Sequence, residues 1–389
     1  MKIIFCADVK YPHGVAGANR VQYIAKAFEK SGHNVVVLAT GSTCNECNSM
    51  ALMNDDGVDY TSLPIRKGKL GRFIDTKLLP GRHAVKWMKE YGVSNNDIIY
   101  IYASSYLYVL PILKYVKRNR LKAIIDVVEW HQPYQYRLSV LNYRYQSVNR
   151  TFEKLTHRFH NVVAISELLK KHFDNLGCNT LLLPMVIDTQ TIYNSVSVDS
   201  KKDAINLIYQ GNPCREDFVS MLKAMVFLKK TGDGNFVFHT TGVQQGVVRE
   251  QLGINTCLID QLSENIVFHG WMDYQDLQAL FKRMDFLFMS RHDDLVRRAN
   301  FPSKLPECMA RGIVPICNRV GDYWKYLSEK DSILFDESNV ENCVDALRRA
   351  MALSKDELYE MKQNAVLCAQ KNFDYREWAD TLDDYIKQL

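Results

Sequence analysis

Asn300-Phe301-Pro302-Ser303-Lys304-Leu305-Pro306-Glu307-Cys308-Met309-Ala310-Arg311-Gly312-Ile313-Val314-Pro315-Ile316 reads as a loop, a helix, a glycine stop and a strand in one run. The fixed φ and missing N–H of Pro302 suit the first turn of a helix, so the helix is expected to begin near that residue. Gly312 ends it, because glycine takes the left-handed C-terminal position at little cost. The apolar stretch that follows is a strand. A strand precedes the loop as well, in Asp285-Phe286-Leu287-Phe288-Met289-Ser290. Strand, helix, strand in this order is the repeating unit of a parallel sheet with crossover helices.

The same alternation extends in both directions. Towards the N-terminus of this series, strand-length apolar runs lie at 205–209, 236–240 and 266–269, and 314–317 follows the quoted helix. An earlier series has its runs at 3–7, 35–39, 98–101, 123–128 and 162–165. Residues 21–30 form the clearest helix, stopped by Ser31-Gly32-His33-Asn34. Between the two series, residues 189–203 are rich in Ser, Asn and Asp and read as a linker. The tail 355–389 has helical period, with Trp378, Leu382 and Ile386 on one stripe.

Two domains fit a chain of 389 residues. With 47% hydrophobic and 24% charged residues the composition is that of a folded protein. The net charge of +5 comes from Lys and Arg spread along the chain, so a nucleic-acid partner is not expected. No window approaches the ~18 uninterrupted apolar residues of a membrane-spanning helix, and residues 1–8 lack the apolar core of a signal peptide. A cytoplasmic location is expected. The ten cysteines show no framework spacing and read as reduced thiols; Cys44 and Cys47 form one C-x-x-C without a second ligand pair and read as a loop. His292-Asp293-Asp294 sets two carboxylates side by side, yet there is no D-x-D and no His cluster, so no metal is expected.

The first strand runs into Tyr11-Pro12-His13-Gly14-Val15-Ala16-Gly17-Ala18-Asn19-Arg20, where Gly14 and Gly17 would let a phosphate or sugar approach the amides of a helix start. The spacing is not G-x-G-x-x-G and no acid ends the next strand, which counts against a dinucleotide. Asp126-Val127-Val128-Glu129-Trp130-His131 closes a strand where a cleft is expected to open. Basic and aromatic residues surround it: Arg66, Lys67, Lys69 and Arg72 in one loop, Tyr134, Tyr136, Arg137, Tyr143, Arg144 and Tyr145 further on. Such a surface suits a lipid-linked pyrophosphate acceptor and peripheral contact with the inner face of a membrane.

Gly211 with Arg215, the turn at 265–270, the strand at 285–290 and the quoted segment, in this order, resemble the retaining glycosyltransferases of the GT-B fold, specifically family 4 (group 1). The resemblance spans nearly the whole chain. It implies an α/β fold of two Rossmann-like domains facing each other across a cleft: residues 1–188 on the acceptor side, the linker 189–203, a donor domain 204–370, and a helix 371–389 crossing back to the first domain. It also implies that Glu307 accepts hydrogen bonds from the nucleotide ribose hydroxyls. Arg215 matches the position of a cation on the donor diphosphate, which a guanidinium can grip with two donors. The family's second glutamate is replaced by Ala299, so Asn300, the amides of Phe301 and Ser303 at the helix start by Pro302, and Lys304 are the residues left to hold the diphosphate. Relatives carry a histidine where this chain has Val128, leaving Glu129 or His131 to contact the donor sugar or the acceptor.

The implied activity is retaining transfer of a sugar from a nucleotide-diphosphate sugar to a glycan or lipid-linked acceptor, in polysaccharide or glycolipid synthesis, without a cofactor. Two alternatives stand beside it: a sugar-nucleotide epimerase of the same fold, and a binding subunit without catalysis, to which Ala299 and Val128 point.

Overall fold

The computed structural model describes residues 1–13, 16–42, 51–192, 204–211 and 215–389. Each apolar run lies on a strand, with bounds that differ by a few residues at most, and further strands join them. In the first series these are β1 (Lys2–Tyr11), β2 (Asn34–Ser42), β3 (Met53–Asp55), β4 (Val58–Ser62), β5 (Ile98–Tyr102), β6 (Lys122–Val127), β7 (Asn161–Ala164) and β8 (Asn179–Leu182). In the second they are β9 (Ile205–Gln210), β10 (Phe236–Thr241), β11 (Ile266–Gly270), β12 (Phe286–Met289), β13 (Val314–Asn318) and β14 (Ile333–Phe335). Four of them, β3, β4, β8 and β14, lie at or next to sheet edges and are too short or too polar to stand out as apolar runs of strand length.

The chain divides into two compact units, Met1–Ile187 with Tyr375–Leu389, and Asp188–Asp374. The first unit holds an eight-stranded sheet in the order β3-β4-β2-β1-β5-β6-β7-β8, parallel except for β3 against β4. The second holds a six-stranded parallel sheet in the order β11-β10-β9-β12-β13-β14. Continuous apolar runs suit strands with helices on both faces, and Ile3, Ile4 and Phe5 of β1 and Phe286 and Phe288 of β12 are fully buried.

In each sheet the first strand of its series has the next strand on one side and a later one on the other. The strand order therefore reverses between β1 and β5 and between β9 and β12, and open parallel sheets bind ligands beyond the carboxyl ends of strands at such a point.

Three expectations need correction. The first helix starts at Ala16, not near residue 21, and ends at Lys30 as read. The tail is not one helix: Lys355–Phe373 ends, Tyr375–Trp378 makes a 3₁₀ turn, and Ala379–Lys387 is a second helix. The break goes with a distant partner, since the buried Asp374 carboxylate takes the Thr189 N–H and hydroxyl instead of serving a helix end. Beyond it, Leu382 and Ile386 pack into the core of the first unit with Ile3, Val21 and Leu183. Within the supposed linker, Thr189–Ile192 is a turn of helix, while 193–203 lie outside the described residues, as do Cys44 and Cys47.

Candidate functional site

In the second unit the chain leaves β9 at Gly211, with φ +93°, a conformation that favours glycine. A Cβ on neighbouring Gly242 would lie 3.4 Å from the Gly211 Cα, so these two turns run close together at the sheet end. Arg215 is the first residue of the helix Arg215–Thr231; its side chain lies outside what is described. Two turns of chain from β12 meet the same helix: Asp217 accepts from the His292 amide at 2.6 Å and from Arg297 at 3.4 Å, and Asp294 also holds Arg297. Burial raises the Asp217 pKa, opposed by the His292 N–H and the Arg297 and Arg291 guanidinium groups.

Arg291, just past the end of β12, is locked by Asn318, whose amide both accepts from the Arg291 N–H and donates to its carbonyl, each at 2.8 Å. Its Nη2 donates to Asn300 Oδ1 at 2.6 Å and its guanidinium lies over the Tyr323 ring. The other terminal nitrogen, Nη1, is buried with no acceptor among the described residues. A buried donor left over in this way costs about 1–3 kcal/mol unless something fills it, and the donor belongs to a cation.

The quoted segment follows. Asn300 closes the short helix Leu295–Ala299, and the chain turns at Pro302 and Ser303 into the helix Lys304–Met309. The α-helix thus begins two residues later than read, although Leu305 N–H already bonds Pro302 O at 3.1 Å. Six residues make a small macrodipole, so the capacity of this end lies in its N–H groups; those of Phe301 and Ser303 have no backbone acceptor among the described residues. The Phe301 side chain faces inward, packed edge-on against Tyr323, Tyr326 and Phe373. Lys304 does not point away to solvent: its Nζ is 3.0 Å from Glu307 Oε2. The Glu307 side chain is 12% exposed, and Arg311 caps its carbonyl at 2.6 Å. Ala299 is fully buried. Next to Glu307, burial pushes the Cys308 thiol up to about 12, which removes it as a nucleophile.

In the first unit a cavity of about 200 Å3 opens at the carboxyl ends of β1, β5 and β6, lined among others by Asp8, Ser104, Glu129, His131 and Arg144. Beneath it lies a buried clamp. Arg20 grips Asp126 with two donors, at 2.8 and 3.0 Å, and gives the rest to Pro184 and Leu183 carbonyls, while Tyr100 adds a third bond to Asp126. Asp126 is therefore committed to structure. Glu129 is half exposed and its Oε2 is 3.2 Å from His131 Nε2; the Tyr136 hydroxyl meets Nδ1 at 2.9 Å. Burial lowers the His131 pKa, partly opposed by Glu129 and reinforced by Arg144, and both ring nitrogens are engaged. Gly17 is required by packing, since a Cβ there would lie 2.9 Å from the Tyr102 hydroxyl; Gly14 lies outside the described residues.

Asp8 and Arg291 are the two residues that sequence reading missed. Arg291 follows the end of β12, and Asp8 lies in the carboxyl-terminal half of β1, each beside a switch point. Asp8 lies in a register shift of β1 between Ala7 and Lys10, a bulge that re-aims its side chain. Burial raises its pKa, against a Thr40 hydrogen bond and the charges of Lys77 and Arg144.

Two sheets of this topology, each with polar groups gathered at the carboxyl ends beside the switch point, define a two-unit, doubly wound α/β architecture. The family model for Glycosyltransferase Family 4 matches residues 17–191 and that for Glycosyl transferases group 1 matches 197–367, and the chain belongs to the group 1 glycosyltransferases of the GT-B fold. No curated protein matches it. Solved structures share the fold at low identity. A sucrose-phosphate synthase from Thermosynechococcus elongatus has a TM-score of 0.70 at 14% identity, covering 100% of this chain and 98% of its own. HepE of Anabaena, in complex with UDP and glucose, has 0.71 at 14% with both chains covered in full. A glycosyltransferase from Rickettsia africae has 0.67 at 13%, covering 99% and 98%.

Proposed function

We propose that this chain transfers a glycosyl group from a nucleoside-diphosphate sugar to a glycan or lipid-linked acceptor, with retention of anomeric configuration and without a metal. The observation that carries the reading is the run from Arg291 to Glu307: the nearly buried Glu307 carboxylate, the amides of Phe301 and Ser303 without backbone acceptors among the described residues, and a buried guanidinium nitrogen of Arg291, whose other terminal nitrogen holds Asn300. A carboxylate offers two acceptors to a ribose diol, while N–H groups and cations suit a diphosphate. Glu307 is assigned to the ribose, Asn300 to Lys304 to the diphosphate, and Gly211 to the close approach of the chain. HepE and the E. coli trehalose-6-phosphate structure are solved with UDP or a UDP sugar, which supports the donor class.

In the proposed step the acceptor hydroxyl oxygen bonds to the anomeric carbon on the face the diphosphate leaves. The carbon–oxygen bond to the β-phosphate breaks with its electron pair, and the departing oxygen takes the acceptor proton. Arg215 stabilises the charge that develops on that oxygen, a cation doing what a metal does elsewhere. Glu129 and His131 contact sugar hydroxyls in the cavity of the first unit. The setting is the cytoplasm or the inner face of a membrane, in polysaccharide or glycolipid synthesis.

A thermal-shift series with UDP-, GDP-, ADP- and CMP-sugars tests the donor class, because a ligand of the folded state raises Tm with occupancy. Stabilisation by one diphosphate sugar is expected, with release of its diphosphate when acceptor is added and no change on adding a chelator. Stabilisation without any release, even by hydrolysis, would favour the binding subunit to which Ala299 and Val128 point. No stabilisation by any of the four would overturn the reading.

A further inference from the structure

The first unit exposes thirteen large apolar side chains among its described residues, and nine of these fall in the two segments 65–78 and 134–143. Leu70, Leu138, Leu141 and Tyr143 are 71% to 76% exposed, which is unusual for so many in so short a stretch.

Both segments are held in shape. In the first, the buried Asp75 carboxylate takes the Arg66 guanidinium at 2.7 Å, the Arg66 amide at 2.8 Å and His83 at 3.1 Å. The Arg66 hydrogen bonds hold that carboxyl well below the usual range. This clamp fixes the short helix Lys69–Phe73 and the π-helical turn Ile74–Leu78 with Leu70 and Phe73 turned outward. In the second, Leu138 (φ +69°) and Ser139 (φ +50°) are consecutive non-glycine residues in the left-handed region. Such strain persists only where surrounding structure imposes it, and here it presents Leu138, Val140 and Leu141. Asn142 then caps the helix Tyr143–Lys154 through its side chain.

The two segments share one end of the sheet. The helix Pro80–Glu90, which follows the first, packs through Gly81 onto the backbone at Leu107 and Tyr108, and the Tyr106 amide bonds Ser147, on the helix that continues from the second, at 2.9 Å. The charges of Lys77, in the first segment, and Arg144, the residue after the second, both act on Asp8 in the cavity. Interleaved with the apolar side chains are Lys67, Lys69, Arg72, Arg137 and Arg144, all exposed and in no ion pair among the described residues. The only carboxylate of segment 65–78 is the buried Asp75, and segment 134–143 has none.

We propose that this end of the first unit docks on an anionic lipid bilayer. Leu70, Phe73, Leu138, Leu141 and Tyr143 enter the boundary between headgroups and acyl chains, and the Lys and Arg side chains meet lipid phosphates. Charge favours this occupant over a second copy of the chain. A two-fold interface would lay the patch against itself, setting bases against bases with no acid to answer them. The docking is read without the donor site and does not depend on the proposed transfer.

The test is co-sedimentation of the whole chain with vesicles of phosphatidylcholine alone and of phosphatidylcholine with phosphatidylglycerol in equal parts. The chain is expected to bind the anionic vesicles far better, and high salt to weaken the binding. Leu138→Asp with Leu141→Asp should weaken it by about 100-fold, roughly tenfold for each leucine withdrawn from the membrane. Lys67→Ala with Lys69→Ala should weaken it about fivefold for each base, on anionic vesicles only. Unchanged Tm and unchanged nucleotide affinity in both variants would show that the fold and the donor site are intact. Failure of the wild type to sediment with anionic vesicles, or equal binding by the leucine variant, overturns the proposal. So does a wild-type dimer that the leucine variant dissolves.

Discussion

The carboxyl ends of the two sheets are built alike and charged differently. Beyond β9 and β12, the second unit collects cations and, among the described residues, N–H groups without backbone acceptors: Lys304 beside Glu307, the amides of Phe301 and Ser303, and Arg291 on Asn300. Beyond β1, β5 and β6, the first unit collects Asp8, Glu129 and His131, whose pKa burial lowers, with Arg144 at the edge. The first set suits a diphosphate with a ribose attached, the second a set of sugar hydroxyls. One topology thus supports two binding chemistries, because the ligand is met by loops at the switch point and not by the strands themselves.

Substitutions that act on one end only would break or sharpen this division. The largest effect is expected from Arg20→Ala, which leaves Asp126 buried and unpaired beneath the first cavity. Loss of one partner of a buried ion pair costs about 3–5 kcal/mol, a fall in Tm on the order of 10 °C. A shift of a degree or two by calorimetric scanning would mean that Asp126 has another charge partner. Next comes Arg215→Ala, expected to lower turnover at saturating donor by about 10²–10³-fold, as removal of a group that stabilises transition-state charge does. A rate equal to wild type would strip Arg215 of that role. His131→Gln should raise the KM for acceptor by about tenfold and leave nucleotide affinity untouched; an effect on nucleotide affinity alone would erase the division of labour.

The smallest effect concerns Asp8, and its sign is opposite. Burial raises its pKa in the folded state above the ordinary 3.8. The unfolded chain therefore releases this proton first, and stability falls as pH rises through the interval between the two values. Asp8→Asn removes that penalty, so the variant should melt slightly higher than wild type at neutral pH and lose acceptor affinity. A lower Tm at neutral pH would show that the ionised carboxylate is itself held by bonds that the burial argument neglects.

Much of this was legible from residue order alone. The strand β12 lies where the apolar run 286–289 puts it, and β9, β10, β11 and β13 differ from their runs by a residue at the end. Long buried strands announce themselves because both faces are apolar. The short strands β4 and β14 do not: Val58-Asp59-Tyr60-Thr61-Ser62 and Ile333-Leu334-Phe335 are strands only because β2 and β13 offer them partners. At the candidate site, Glu307 and its helix were readable, but the Lys304 contact with Glu307, the inward turn of Phe301 and the buried Nη1 of Arg291 depend on tertiary packing. Asp8 was hidden by the bulge, which a period-two reading of β1 does not contain. The break at Asp374 was hidden by a partner, Thr189, far away in the chain.

The central claim is that the segment from Asn300 to Glu307 holds the nucleotide of a sugar donor. Titration calorimetry of wild type and Glu307→Ala with the nucleoside diphosphate of whichever sugar stabilises the chain tests it most directly. Loss of a carboxylate that accepts from a ribose diol should weaken binding about ten- to a hundredfold, by roughly 1.5–3 kcal/mol, with Tm in the absence of ligand unchanged. Equal affinity in the two proteins would contradict the claim.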